Sequence, residues 1–438
     1  MMEKQTKIGT VCSDFDTFQL KSVLVKNDAG DWGSEPDKDA IGVIRSTNFN
    51  NDGKLDLSDI AYRTLSKRKF EEKKLYASDI LIERSGGSET QPVGRVGVIT
   101  DEMAKTDYAF ANFIQRISLN DEVNAKFVYY CLQQMYEMGI TAGMQSQTTG
   151  IRNLDWKQYI KVALPKPSSD EQTAIAAVLS KVDEAIAAVQ GSIAAAERLK
   201  KSLMQNLLTG RMKPDGTLRK EDEFYVDEKF GRVPVGWEVK KVKDICLNSG
   251  DYGANASAID YDVTKPRFIR ITDIDDFGQL LDDGKAGMAG DNYSKYLLEE
   301  DDFLFARTGD TVGKSLLYKK EMGLAVYAGY LIKFSFDKSK VLPEYFDLIA
   351  KSEFFEAFKI AMKRVGAKPN INSREYCSFR FLLPSDTEEQ KEIYGKFANI
   401  DKTQKSKQQK IAVLERLKKS LMQNLLTGRV RINEQFKR

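Results

Sequence analysis

Fifteen residues of this chain occur twice, letter for letter: Glu197 through Arg211 returns as Glu415 through Arg429. The offset is 218 residues, almost half of the 438. A repeat of that period makes the chain two halves in tandem, and it constrains the fold before any local pattern does. The flanking sequence has diverged while the block has not. Two identical surfaces suggest two copies of one partner, and two diverged regions suggest two different targets. Recent duplication without selection is the plainer account, and the divergence elsewhere weighs against it.

The block ends a long apolar stripe. Residues 169 to 208 read as one helix, with Ser169 as N-cap and Gln172 three residues on, a capping box. Ile175, Val178, Val182, Ile186, Val189, Ile193 and Ala196 follow at spacings of three and four, a heptad-like seam that Leu199, Leu203 and Leu207 continue. Gly210 supplies the stop. The second copy repeats this grammar, with Thr387 and Gln390 at the start and Ile393, Phe397, Ile400, Ile411, Leu414, Leu417, Leu421 and Leu425 along the seam. Gln404 and Lys407 stand where the first copy has Ile186 and Val189. Such a polar stretch either sets register and partner choice or faces solvent. At 1.5 Å per residue, each helix of ~39 residues is ~58 Å long.

The segments before the helices alternate short β-rich runs, such as Ile80–Ile82 and Phe303–Phe305, with Gly/Asp/Asn turns. Helical patterns appear at Ala125–Met138 and Pro343–Met362. The two segments share a skeleton. Arg45-x-Thr47 with Gly53-x-Leu55 matches Arg270-x-Thr272 with Gly278-x-Leu280, and Asp79-(x4)-Arg84-Ser85-Gly86 matches Asp302-(x4)-Arg307-Thr308-Gly309. The expected fold class is α+β. Two globular mixed α/β domains are separated by two long helices that form an antiparallel coiled coil, in a pseudo-two-fold tandem repeat. The expected boundaries are 1–166 and 233–384 for the domains, 167–211 and 385–429 for the helices, 212–232 for a linker and 430–438 for a basic tail.

Composition narrows the chemistry. Hydrophobic content of 42% with 30% charge fits a globular protein, and no apolar run approaches the ~20 residues of a membrane helix. Met1 to Lys7 is charged and carries no signal-peptide core, and Cys12, Cys131, Cys246 and Cys377 form no CxxC pair, so the cytoplasm is the expected compartment. The chain contains no histidine, which excludes Ser-His-Asp and Cys-His nucleophiles and the usual Cys/His zinc sites. Carboxylate-only chemistry stays open. No Pro-Pro, and so no (Asn/Asp)-Pro-Pro-aromatic methyltransferase motif, is present. Thr308–Ser315 imitates a P-loop, but Thr308 occupies the position that requires the first glycine.

Net charge is +3, so any nucleic-acid footprint must be local. Residues 401–438 hold 11 Lys/Arg against 3 Asp/Glu, a net of +8, which reads equally as a solvated helix face. The candidate DNA contacts are Arg84 and Arg95 beside the Gly86-Gly87 and Gly94/Gly97 turns, and Arg307 and Lys314 flanking the matching turn of the second domain. Gln147, Arg152 and Asn153 stand in one polar loop, and Arg364, Lys368 and Asn370 in another. Gln and Asn can pair bidentately with adenine, and Arg or Lys with guanine. The ordinary alternative for each is a hairpin or a polar surface loop.

Taken together, the tandem layout, the helix ending Leu-Lys-Lys-Ser-Leu-Met-Gln-Asn-Leu-Leu-Thr-Gly-Arg at 199–211 and 417–429, Leu-Pro at 164–165 and 383–384, Glu-Gln at 171–172 and 389–390, and Val235-Gly236-Trp237 resemble the specificity (S) subunit of type I restriction–modification systems. The resemblance implies two target recognition domains, each reading one half of a bipartite asymmetric DNA site, with the coiled coil setting the gap. At ~3.4 Å per base pair a ~58 Å helix spans at most about 17 base pairs. It also implies two methyltransferase subunits docked on Leu199, Leu203, Leu207, Leu417, Leu421 and Leu425, and a motor–endonuclease subunit joining them. S-adenosylmethionine would belong to the methyltransferase and ATP with Mg to the motor, leaving no cofactor or catalytic residue on this chain. A type IIB-like or orphan methyltransferase specificity subunit fits the same residues. A coiled-coil protein scaffold and a carboxylate-dependent nuclease are readings from other classes.

Overall fold

The structure is a computed structural model and describes residues 4–88, 91–148, 151–362 and 369–432, without the side chains of residues 147 and 148. The chain folds as two compact units, residues 1–190 with 408–438 and residues 191–407. This division cuts through both long helices, Ser169–Leu207 and Thr387–Leu425, each 39 residues. Each unit therefore holds one globular domain and a piece of each helix.

In the first unit the helix pieces run antiparallel. Lys418 Nζ meets Asp183 Oδ1 at 2.8 Å, and past the helix end Arg431 grips Glu171 with Nε–Oε1 at 2.7 Å. In the second unit Lys200 meets Asp401 at 2.5 Å, and Lys407 donates to Ser192 Oγ. Lys200 and Lys418 are 218 residues apart, as are Asp183 and Asp401, so one ion pair is used once in each unit. Lys407 and Gln404 are half-buried rather than solvated. Arg431 also reaches Asp14, so the start of the expected basic tail is fastened to the first unit. Residues 433–438 lie outside the described residues.

The helix starts differ from the expected capping boxes by one residue. Ser168 and Asp386 are the caps: Ser168 Oγ accepts from Glu171 N at 3.3 Å, and Asp386 Oδ1 from Glu388 N at 2.9 Å. This frees the glutamines for a different task. Gln172 Oε1 accepts from Asn124 N at 2.8 Å while its Nε2 donates to Pro167 O, and Gln390 Oε1 accepts from Leu342 N at 2.8 Å while its Nε2 donates to Pro384 O. Both side chains are buried. Each fastens the start of a long helix to the residues that open its domain's own helix, Ala125–Glu137 or Pro343–Ala350.

The two domains share one sheet order. In the first, Leu24–Ala29, Ile114–Leu119, Ile80–Glu83 and Val96–Val98 form an antiparallel sheet in that order. In the second, Asp251–Tyr252, Leu331–Phe334, Phe303–Ala306 and Ser315–Leu317 do the same. Both add a parallel pair, Tyr108–Phe110 on Ile41–Ile44 and Ala325–Tyr327 on Arg267–Ile269. Both lead into the long helix through an antiparallel strand that carries the Leu-Pro motif. Ser78 and Asp301, just before the matched aspartates, are the positive-φ non-glycine residues among those described. Asp79 and Asp302 each accept from a serine, Ser118 and Ser335.

Core filling differs. The first domain packs Ile80, Ile82 and Ile117 where the second stacks aromatics, with Phe305 and Tyr376 rings 4.5 Å apart and 6° from parallel. The helical stretch expected near Pro343–Met362 is two helices, Pro343–Ala350 and Glu353–Met362. Ser352 ends the first by donating its hydroxyl to Ile349 O at 2.7 Å.

Leu207 and Leu208 are buried in the second domain's core, and Met422, Leu425 and Leu426 in the first's. The next residues must turn sharply, and Gly210 and Gly428 do so at φ +66° and +70°. A Cβ on Gly210 would lie 2.2 Å from Pro234 Cγ, and one on Gly428 2.6 Å from Cys12 Sγ. Gly210→Ala and Gly428→Ala each combine roughly 1–2 kcal/mol of left-handed backbone strain with roughly 1–3 kcal/mol of overpacking. Urea unfolding of each variant is expected to show a loss of about 2–5 kcal/mol. A midpoint unchanged in both would mean that these ends are not held as described.

Candidate nucleic-acid interface

In the first unit the two stretches singled out from sequence meet in one sheet. Ser85–Gly87, Ile151–Leu154 and Gln145–Thr148 pair antiparallel with Ile151–Leu154 in the centre. Where a loop was expected over 145–153, the described residues are two antiparallel strands, Gln145–Thr148 and Ile151–Leu154. The pairing places Arg84, Arg152 and Asn153 together: Leu154 N donates to Arg84 O at 2.8 Å, Arg152 pairs with Gly87, and Ser85 Oγ donates to Asn153 Oδ1 at 2.6 Å. The Gln147 backbone pairs with Arg152, and its side chain lies outside the described residues.

The second unit repeats the arrangement. Thr308 forms an antiparallel bridge with Asn370, and Ile371 N donates to Arg307 O at 2.9 Å. Arg307 and Asn370 are therefore neighbours, as Arg84 and Asn153 are. Arg364 and Lys368 lie outside the described residues. The P-loop imitation is strand, turn, strand: Phe303–Ala306 runs antiparallel to Ser315–Leu317 across a short 3-10 turn. A P-loop requires a helix there.

The named cations differ in what holds them. Arg95 does not face outward as expected. It is 7% exposed, and its guanidinium donates to both Glu83 oxygens at 2.8 and 2.7 Å and to Phe49 O and Ser46 O. A buried carboxylate requires such a partner, so Arg95 holds the sheet to the 46–49 turn. Lys314 sits 2.8 Å from Asp276, and its ammonium holds that exposed carboxyl below the usual range. Arg84 Nη1 donates to Gln115 Oε1 at 3.3 Å; Gln115 Nε2 in turn donates to Asn27 Oδ1, which also accepts from Trp156 Nε1. Arg307 stacks on Tyr252 with its guanidinium carbon 4.9 Å from the ring centroid. Sequence reasoning missed Tyr252, because the 252–307 proximity comes from pairing across the sheet and leaves no local pattern.

The helical block gives a second surface. Leu199 is 52% and Leu417 46% exposed, Leu203 and Leu421 are half-buried, and Leu207 and Leu425 are buried in domain cores. The last pair is therefore unavailable for docking, because the helix ends pack on the domains. A groove of about 830 Å³ in the second unit is lined by Glu197, Lys200, Lys201, Met204, Gln205 and Phe354 among others. Glu353 on its wall accepts from Gln205 at 3.2 Å. Among the described residues no group of His, Cys, Asp and Glu could hold a metal, and no helix is long and apolar enough to cross a membrane.

The sequence model of the type I restriction modification DNA specificity domain matches residues 12–198 and again 234–416. The chain is 24% identical over 366 residues to the type I restriction enzyme MjaVIII specificity subunit of Methanocaldococcus jannaschii, covering 81% of this chain and 80% of that one. It is 21% identical to the putative MjaX specificity subunit of the same organism, covering 98% and 96%. Among solved structures, the S subunit of a type I system from M. genitalium superposes with a TM-score of 0.57 at 14% identity, covering 97% and 99%. A chain from a structural study of type I complex assembly superposes at 0.54 and 11% identity, covering 96% and 99%.

Arg95→Ala would leave Glu83 buried without its partner, at a cost of about 3–5 kcal/mol. Denaturant unfolding is expected to show that loss, with any fall in DNA binding tracking the unfolded fraction. Unchanged stability with selectively weakened DNA binding would return Arg95 to the interface.

Proposed function

The chain belongs to the type I restriction–modification DNA specificity family, and from that premise we propose that each globular domain reads one half of a bipartite, asymmetric DNA site. The chain supplies DNA specificity and assembles with the other subunits of its system. The observation that carries the finer reading is the contrast between the two units. The same fifteen-residue block, with the same Lys–Asp pair, recurs in both, while the side-chain partners of the equivalent Arg84 and Arg307 differ, Gln115 for one and the Tyr252 ring for the other. One methyltransferase subunit docks on each copy of the block, through Leu199 and Leu203 in one case and Leu417 and Leu421 in the other. The long helices set the gap between the half-sites. A motor–endonuclease subunit completes the assembly.

Arg84, Arg152, Asn153, Arg307 and Asn370 are the DNA contacts of this proposal, with Gln147, Arg364 and Lys368 carried along from the sequence. Arg and Asn forks read base edges in the major groove, and neighbouring cations hold the phosphates. Methyl transfer to adenine from S-adenosylmethionine belongs to the methyltransferase subunits, and ATP with Mg²⁺ to the motor. The near-neutral net charge of +3 leaves much of the phosphate neutralisation to the partners.

Two experiments test this. A long-read methylome of the host with and without the gene is expected to lose one bipartite N6-methyladenine motif on deletion; an unchanged methylome in a host where the system is expressed contradicts the proposal. Leu203→Asp with Leu421→Asp places charge on both copies of the block. Co-purification with the methyltransferase subunit is expected to fall by at least tenfold, and intact assembly would sink the docking model.

A further inference from the structure

Of the four arginines and lysines expected around the two matched turns, one has a guanidinium without an acceptor among the described residues. Arg95 is held by Glu83, Lys314 by Asp276 and Arg84 by Gln115. Among the described residues Arg307 makes no ion pair and no side-chain hydrogen bond, and its Nε is buried without a partner. Arg45, Arg63 and Arg267 also leave Nε unpartnered, but each bonds a protein acceptor through an Nη, whereas among the described residues Arg307 does not. The group is nonetheless fixed in place. Its guanidinium lies on the Tyr252 ring, and the Arg307 backbone is bonded on both sides, N to Tyr330 O at 3.0 Å and O from Ile371 N at 2.9 Å.

Tyr252 is itself anchored twice. Its backbone pairs with Ile332 in the sheet, and its hydroxyl accepts from Ser373 N at 3.2 Å. Tyr252 as a whole remains 42% exposed. The first domain has nothing like it. Arg116 pairs with Asp28 and Gln115 with Ala29 there, while Lys333 pairs with Asp251 and Ile332 with Tyr252 here, so Ala29 occupies the position of Tyr252. A planar fork placed over an aromatic ring, with no hydrogen-bond acceptor among the described residues, is preorganised for a planar pair of acceptors.

Resting on the specificity reading above, we propose that Arg307 reads a guanine in the half-site of the second domain and that Tyr252 is the positioning residue that holds its fork. Two guanidinium N–H groups donate to O6 and N7 of that base in the major groove. The phosphate backbone offers the same guanidinium a pair of oxygens, and the two sources differ in sequence dependence. A base contact makes one base pair matter, whereas a phosphate contact weakens every sequence alike.

The test uses the full complex of the chain with its methyltransferase subunits, and a duplex panel in which each base pair of the wild-type motif is replaced in turn. Wild type is expected to reject replacement of one G·C pair in one half-site by roughly 5- to 150-fold. Arg307→Ala is expected to abolish discrimination at that pair while the other half-site keeps its full preference. Among the described residues no acceptor is orphaned by the change, so folding is expected to survive it. Arg307→Lys, which keeps the charge and loses the fork, is expected to relax the same pair, and Tyr252→Ala likewise. A uniform drop across the panel in Arg307→Ala assigns the residue to phosphate and overturns the proposal. So does full discrimination retained by Arg307→Lys, which keeps the issue decidable should the alanine variant fail to fold. A wild-type complex without any motif preference overturns the specificity reading, and this proposal with it, by a different signature.

Discussion

The structure of each unit depends on burying the ends of long helices inside a globular domain. A 39-residue helix with a narrow apolar stripe is not stable by propensity alone; packing supplies its stability. Here the packing is supplied twice over. Ile175, Ala176 and Leu179 enter the first domain's core together with Met422, Leu425 and Leu426, and Ile393 and Phe397 enter the second's with Leu207 and Leu208. The buried glutamine at each helix start and the glycine past each helix end fix the entry and exit of the backbone. Domain and helix are consequently one cooperative body in each unit.

That arrangement bears on why the two halves of this chain match letter for letter at the helix ends and differ elsewhere. The residues that root the helices contribute to core packing and also border the exposed block. The strands of the candidate interface keep the same sheet order in both domains. Asp79 with Ser118 and Asp302 with Ser335 preserve the scaffold beneath the turn, while Gln115 and Tyr252 give the equivalent arginines different supports. A fixed frame with variable buttressing is what two unlike half-sites would require.

Much of this was legible in the sequence, because its strongest signals are periodic or exactly repeated. The helix lengths, the tandem order, the Arg-Ser/Thr-Gly skeleton and the strands at Ile80 and Phe303 follow from spacing that any reader can count. The sequence concealed what depends on pairing across distance. Arg95 looked like a surface cation beside a Gly-rich turn, and only its approach to Glu83 across a hairpin shows it to be interior. Gln172 satisfied the capping-box pattern but bonds to Asn124, 48 residues away. Leu207 and Leu425 lie on the same stripe as Leu199 and Leu417, yet the stripe passes from an exposed face into a domain core. Tyr252 carried no signal, since its role arises from the sheet register.

The central claim is that each domain carries its own half of the specificity. Replacing residues 233–384 with residues 8–166 of the same chain, so that both long helices carry the first domain, tests it most directly. The methylated motif of a host expressing this chain with its methyltransferase should contain one half-site twice and should lose the other. A motif that stays asymmetric with both original half-sites would contradict the account.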